Sequence, residues 1–225
     1  MPDAQDGLVD VRVFVQARMS SARFPGKVLA PYRGVPIVRH VLDAARRALP
    51  GVEPIVLTSD QASDDPLAAF VDSLGTAVFR GPLDDVLGRF QRCLRAHPCA
   101  WVLRLSADSP CLSARLLQAV VQHPHRRDSD VVTTVCPRTW PRGQNAELIR
   151  AQVLAGLDGE ALTAEDREHV TPFLYRHADR FRIVNVPSGD SSLAERSIAV
   201  DTVDDLRRLE ALPMPELRRL TEAVI

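Results

Sequence analysis

Short apolar, β-branched runs alternate along this chain with segments of helical period, and that alternation restricts its possible folds more than any other feature. Residues 11–17 (VRVFVQA) have the character of a buried parallel strand, and a polar loop containing Pro25 and Gly26 follows. Residues 36–49 then place Ile37, Val38, Val41, Leu42, Ala45 and Leu49 at helical spacing, with Pro36 suited to a first turn and Gly51 beyond the end. The pattern recurs. Strands are expected at 54–58, 77–80, 100–105 and 130–135, and helices at 66–74, 84–96 and 113–122. Such a sequence predicts right-handed β-α-β units, hence an α/β protein of three layers (α/β/α) around a mostly parallel mixed sheet covered on both faces.

After Cys136 the pattern loosens. Residues 137–143 (PRTWPRG) suggest a loop or lid, 145–149 a short strand, and 165–177 a helix that Pro172 should kink or divide. Residues 181–186 and 197–200 look like short strands, 203–212 a helix, and a last helix would carry Leu217, Leu220 and Val224 on one face. Without internal repeats or linkers, residues 11–225 are expected to form one domain with a loop and helical insertion around 137–180. Residues 1–10 would be a disordered extension.

A length of 225 residues, with 45% hydrophobic and 25% charged side chains, suits a soluble core that needs neither disulfides nor structural metal. Cys93, Cys99, Cys111 and Cys136 show no C-x-x-C pair and no zinc-type spacing, so a reduced, cytoplasmic chain is expected. The formal charge of -1 exerts no whole-molecule pull on nucleic acid or anionic membrane, and any anion must be bound locally. No apolar run reaches the roughly 20 residues of a membrane span.

In an open parallel sheet, ligands bind beyond the carboxyl ends of the strands. After the first expected strand, Arg18, Arg23 and Lys27 lie among hydroxyls and a Pro-Gly turn, a loop able to wrap a polyphosphate or simply to stand solvated. A P-loop is excluded because Ser21 and Val28 occupy the positions of its first glycine and its Ser/Thr. Asp108, at another strand end, suits Mg2+, which takes one or two carboxylates plus waters and phosphates. Asp201 offers a second carboxylate, or a cap for the helix after it. Together they supply both charge signs that nucleotidyl transfer requires. The 28 basic residues are 27 arginines and one lysine, Lys27, so the lysine stands against a strong arginine bias.

The run QARMSSARFPGKVL resembles the first-strand signature of the cytidylyltransferases that make CMP-activated sugars, such as the CMP-Kdo and CMP-sialic acid synthetases. Its nearest likeness is to the branch resembling the spore-coat polysaccharide enzyme. The resemblance continues through Thr58-Ser59-Asp60, Asp64-Asp65-Pro66, Arg80-Gly81, Asp85 to Phe90, Arg104 to Pro110, Arg142-Gly143 with Glu147, Arg167 to Pro172, and Ser197 to Leu206.

It implies a nucleotide-diphospho-sugar transferase-like (Rossmann-like) fold and transfer of CMP from CTP, with Mg2+ and release of pyrophosphate, to a sugar acid, sugar phosphate or phosphonate. It implies a polysaccharide-biosynthesis enzyme, and a homodimer. Asp108 and Asp201 match the metal ligands; Arg18, Arg23 and Lys27 match the triphosphate loop, with Ala17, Ser20 and Ser21 beside them; Arg80 matches the nucleoside site. Trp140, Arg142, Glu147 and His169 are candidates for the acceptor side, although Trp140 would equally anchor its loop and His169 equally pack a helix. Ala22 stands where Thr is usual and Ala107 where Gly is, and a methyl at 107 would crowd a nucleotide lying against the backbone. Two other readings stay open: a nucleotide-sugar glycosyltransferase, which should show an Asp-x-Asp where this chain has Asp108-Ser109-Pro110, and a non-catalytic nucleotide-binding subunit.

Overall fold

The apolar runs do pair. In the computed structural model, which describes residues 10–222, seven of them form one sheet in the order β5-β4-β1-β6-β8-β7-β9. Its strands are β1 (Val11–Gln16), β4 (Ile55–Ser59), β5 (Ala77–Gly81), β6 (Trp101–Ser106), β7 (Val131–Thr133), β8 (Glu147–Arg150) and β9 (Ile183–Asn185). Within this sheet β8 alone runs antiparallel to its neighbours, β6 and β7. A two-stranded hairpin, β2 (Pro31–Tyr32) and β3 (Val35–Pro36), lies between β1 and α1 (Ile37–Ala48). The chain continues through α2 (Asp65–Ser73), α3 (Val86–Ala96), α4 (Ala114–Val121), α5 (Ala151–Gly156), α6 (Ala164–His169), α7 (Pro172–Arg176), α8 (Val203–Ala211) and α9 (Met214–Thr221).

The central strands are mostly apolar because helices cover both faces of the sheet, with polar residues such as Gln16, Ser59 and Ser106 at their carboxyl ends. Alternate side chains enter alternate cores. Val13, Val15, Leu103 and Leu105 pack with Val41 and Leu42 of α1 and Leu116 and Leu117 of α4. Phe14, Leu57 and Val102 pack on the opposite face with Leu87 and Phe90 of α3, Leu154 of α5 and Phe173 of α7. A third cluster joins Tyr32 and Ile37 to Ile198, Val200, Leu209, Leu217 and Leu220.

Several expectations need correction. Residues 197–200 do not join the sheet. Ser197 makes a single bridge to Arg142, while Ile198 and Val200 are drawn into the third cluster. As expected, by contrast, Pro172 divides the helix 165–177 into α6 and α7, joined by Val170 at φ 72°, a conformation that a β-branched residue rarely adopts. Of the expected extension, residues 1–9 lie outside the described residues. Asp10 is held in place: its carbonyl accepts from Trp101 N at 3.0 Å and its carboxylate from Ala100 N at 2.7 Å. Val224 also lies outside the described residues. Among the described residues no helix is long and apolar enough to cross a membrane.

Candidate active site

Beyond the carboxyl end of β1 the chain folds on itself around Met19, whose carbonyl accepts from Ser21 N at 2.9 Å and Gly26 N at 2.8 Å. Gly26, at φ 75°, makes the left-handed turn that carries the chain into Lys27. The Lys27 side chain is only 12% exposed, and its ammonium lies 2.8 Å from Asp201 Oδ1 and 3.3 Å from Asp108 Oδ2. Arg23 reaches the other oxygen of Asp201 at 3.0 Å.

The two carboxylates come from distant segments joined by one backbone bond, Val200 N to Asp108 O at 2.9 Å. Asp201 does not cap α8; Thr202 does, in a reciprocal capping box with Asp205, which leaves the Asp201 carboxylate free to face Lys27. Burial works against charge on Asp201. The hydrogen bond and charge of Lys27, with Arg23 beyond it, nevertheless hold its carboxyl below the usual carboxylate range.

These groups line a cavity of about 360 Å3 together with Gln16, Ala17, Arg18, Ser21, Ala22, Arg89, Glu168 and His169. Arg18 pairs with Glu168 at 2.8 Å across the cavity. A second cavity of about 530 Å3 shares Gln16, Ser106, Asp108, His169 and Asp201 with the first, so the carboxylate pair stands where the two meet. Arg104, Arg138, Arg142, Gly143 and Glu147 contribute to this second lobe. Arg104 pairs with Glu147 and donates to Gln16 Oε1 at 3.2 Å and to the His169 carbonyl at 3.1 Å. Gly143, at φ 101°, is required there, because a Cβ would come within 2.7 Å of Ala199 N.

Of the residues expected at the site, Ala17, Arg18, Ser21, Arg23, Lys27, Asp108, Asp201 and His169 line the first cavity, and Arg142 and Glu147 the second. Three do not arrive. Ser20 is exposed outside the lining. Arg80 turns away, its guanidinium held by the carbonyls of Ser59 and Gln61, each at 2.8 Å, and by Asp65 at 2.6 Å. Trp140 is 0% exposed in the core and donates its indole N–H to the Val186 carbonyl at 2.8 Å, so it anchors its loop and covers no pocket. Ala107 is fully buried and packs with the core, yet it also lines the first cavity beside Asp108.

The cavities also contain three cations without a site role in the sequence reading: Arg89 and Arg104, which lie within the runs that carry the family resemblance, and Arg138. Arg89 is 1% exposed and, among the described residues, donates to carbonyls, those of Pro82, Leu83 and Leu57. Its signal was an arginine inside the buried stripe of α3, beside Val86, Phe90 and Cys93.

A family model described as Cytidylyltransferase matches residues 12–213. The spore coat polysaccharide biosynthesis protein SpsF of Bacillus subtilis (strain 168) is 30% identical over 209 residues, covering 90% of this chain and 86% of that protein. Among solved structures, a cytidylyltransferase from Leptospira borgpetersenii serovar Hardjo-bovis (strain JB197) has a TM-score of 0.83 at 25% identity, covering 89% of this chain and 85% of the other. The CMP:2-keto-3-deoxy-manno-octonic acid synthetase complexed with CTP shares the fold, with a TM-score of 0.67 at 20% identity over 92% of this chain and 99% of the other.

Proposed function

This chain belongs to the cytidylyltransferase family, and on that premise we propose that it transfers CMP from CTP to an anionic, sugar-like acceptor, with Mg2+ and release of pyrophosphate. The observation that carries this reading is the meeting, at Asp108 and Asp201, of two cavities that each bring several arginines to the cleft. In the first, Arg18, Arg23 and Lys27 line the loop after β1, as a triphosphate requires. In the second, Arg104 is paired with Glu147, while Arg138 and Arg142 make no ion pair among the described residues and can meet an acceptor's carboxylate, phosphate or phosphonate.

An acceptor oxygen in the second lobe attacks the α-phosphorus in the first. The new O–P bond forms as the bond to the β-phosphate oxygen breaks, and that electron pair leaves with pyrophosphate. Arg18, Arg23 and Lys27 stabilise the charge growing on the leaving group, and the two lobes hold the reactants in contact. Asp108 and Asp201 fit the role of magnesium ligands, since two carboxylate oxygens converge on a single ammonium at the junction of the cavities. When bound there, Mg2+ would neutralise phosphate charge. An Asp-x-Asp glycosyltransferase is disfavoured, because Ser109 and Pro110 follow Asp108 and the second carboxylate comes from the segment before α8.

Pyrophosphate release from CTP and from UTP, with a panel of acidic sugars as acceptors, tests the proposal. CTP-dependent release that needs an anionic acceptor and a divalent cation is expected. Equal efficiency with UTP, or a preference for neutral sugars, would sink it.

A further inference from the structure

Asp64 lines neither of the two cavities. It occupies the position before α2 where an aspartate commonly caps a helix, yet its side chain makes no cap bond. The carboxylate is fully buried and turns instead to four donors. Oδ2 accepts from Thr58 Oγ1 and Ser59 N, each at 2.9 Å, and from Ser59 Oγ. Oδ1 accepts from Met19 N at 2.7 Å. No salt bridge reaches it among the described residues; peptide and hydroxyl donors satisfy the carboxylate directly, and the buried Arg89 guanidinium adds opposite charge at longer range. Burial pushes its pKa up, but these hydrogen bonds outweigh burial and hold the carboxyl below the usual range.

The four bonds divide by origin. Those from Thr58 and Ser59 are local and fix the orientation of the carboxylate. The bond to Met19 spans 45 residues and reaches the peptide around which the loop after β1 is folded. Met19 sits between Arg18 and the segment Ser21 to Lys27, and its carbonyl closes that segment through Ser21 and Gly26.

We propose that Asp64 is a positioning residue for nucleotide binding: it holds the Met19 peptide, and through it keeps Arg18, Arg23 and Lys27 facing the triphosphate. This rests on reading that loop as the triphosphate site. Ordering the loop before the nucleotide arrives removes an entropic cost from binding.

The test compares Asp64→Asn with Thr58→Val, which removes one local donor and leaves the Met19 bond in place. Three quantities are read: Mg·CTP affinity by calorimetry, melting temperature, and the rate of tryptic cleavage at Arg18 and Arg23 in the native protein. Asp64→Asn is expected to weaken CTP binding at least about tenfold and to accelerate cleavage at both arginines. Thr58→Val should lower the melting temperature but bind CTP within twofold of wild type. CTP affinity unchanged in Asp64→Asn, or lost equally in both variants in step with stability, overturns the proposal. A wild-type chain that binds no CTP overturns the nucleotide reading instead, and tryptic cleavage then still decides whether Asp64 orders the loop. Should Asp64→Asn not fold, amide exchange in the wild type decides: Met19 N–H is expected to be strongly protected, and exchange at the free-peptide rate refutes the anchor.

Discussion

The guanidinium of Arg18, at the end of β1, meets the carboxylate of Glu168, on α6, at 2.8 Å, and both side chains are more than a third exposed. An exposed pair of this kind contributes roughly 0.2–1 kcal/mol. If Arg18 turns to the triphosphate, that contact must first break. Glu168→Gln is therefore expected to lower the KM for CTP by up to about fivefold, while Arg18→Gln raises it. A Glu168→Gln enzyme with a higher KM for CTP would assign the glutamate to substrate binding instead.

The carboxylate pair carries the second prediction. Asp108→Asn and Asp201→Asn should each depress turnover by orders of magnitude, because each removes a charged oxygen from the junction of the cavities. Asp201→Asn should also cost some stability, because Lys27 and Arg23 make the folded chain favour its charged form. Turnover unchanged in either variant, measured at saturating Mg2+, removes that residue from the metal site.

How far the chain was readable is clearest where the expectations failed. Strands and helices were visible because cores on both faces of the sheet demand nearly continuous apolar runs in β1 and β6, while one-sided burial demands period 3.6 in α1 and α3. Residues 197–200 have the apolar pattern of a strand, yet pattern alone cannot say that Ile198 and Val200 will be buried by the hairpin and α9. Among site residues, those on the loop after β1 and at the ends of β6 and of residues 197–200 were legible, because the α/β sheet fixes where loops converge. Arg104 was not. It sits within β6 and reaches the cleft only through its contacts with Gln16 and His169, which lie far away in sequence. Trp140 and Arg80 failed in the opposite sense. Composition marks both as suited to ligands, and only tertiary partners show that Val186 and the Ser59 carbonyl have already taken them.

Trp140 supplies the third prediction. Trp140→Phe keeps most of the apolar area but leaves the buried Val186 carbonyl without its donor, at a cost of about 1–3 kcal/mol. The melting temperature should fall by several degrees, while CTP affinity at 20 °C stays within twofold of wild type. A variant of unchanged stability but impaired binding would return Trp140 to the substrate side.

Acid sensitivity follows from buried and half-buried aspartates. Hydrogen bonds outweigh burial and hold Asp64, Asp166 and Asp205 below the ordinary carboxylate range, so the unfolded chain takes up protons before the folded one. Their stabilisation is complete above the unfolded value of about 4 and is lost as pH falls through the lower folded values. His123, held below its ordinary pKa by burial and then by His125, adds a fall as pH drops through about 6.5. Urea midpoints should thus decline in two stages on acidification, and His123→Ala should abolish only the upper one. A single steep loss centred near pH 6 in that variant would refute the assignment.

The last prediction concerns the one lysine among 28 basic residues. Lys27 is nearly enclosed, with a single ammonium shared between Asp201 at 2.8 Å and Asp108 at 3.3 Å, a spacing that suits a compact point charge with three tetrahedral donors. A guanidinium is planar and wider, and it favours bidentate pairing with one carboxylate, so an arginine there would have to abandon one aspartate or push the two apart. The same geometry applies on the substrate side, where an ammonium can sit between non-bridging phosphate oxygens. Lys27→Arg should therefore lower kcat by at least about tenfold, or roughly 1.4 kcal/mol of transition-state stabilisation, while leaving formal charge and fold intact. Arg23, exposed and touching only Asp201, provides the internal comparison: Arg23→Lys should stay within about threefold of wild type, because a half-solvated cation at the rim acts through charge more than shape. Steady-state kinetics of the two reciprocal swaps decide the matter. If Lys27→Arg is as active as wild type, charge alone suffices at that position, and the exclusion of arginine from it has no mechanistic meaning.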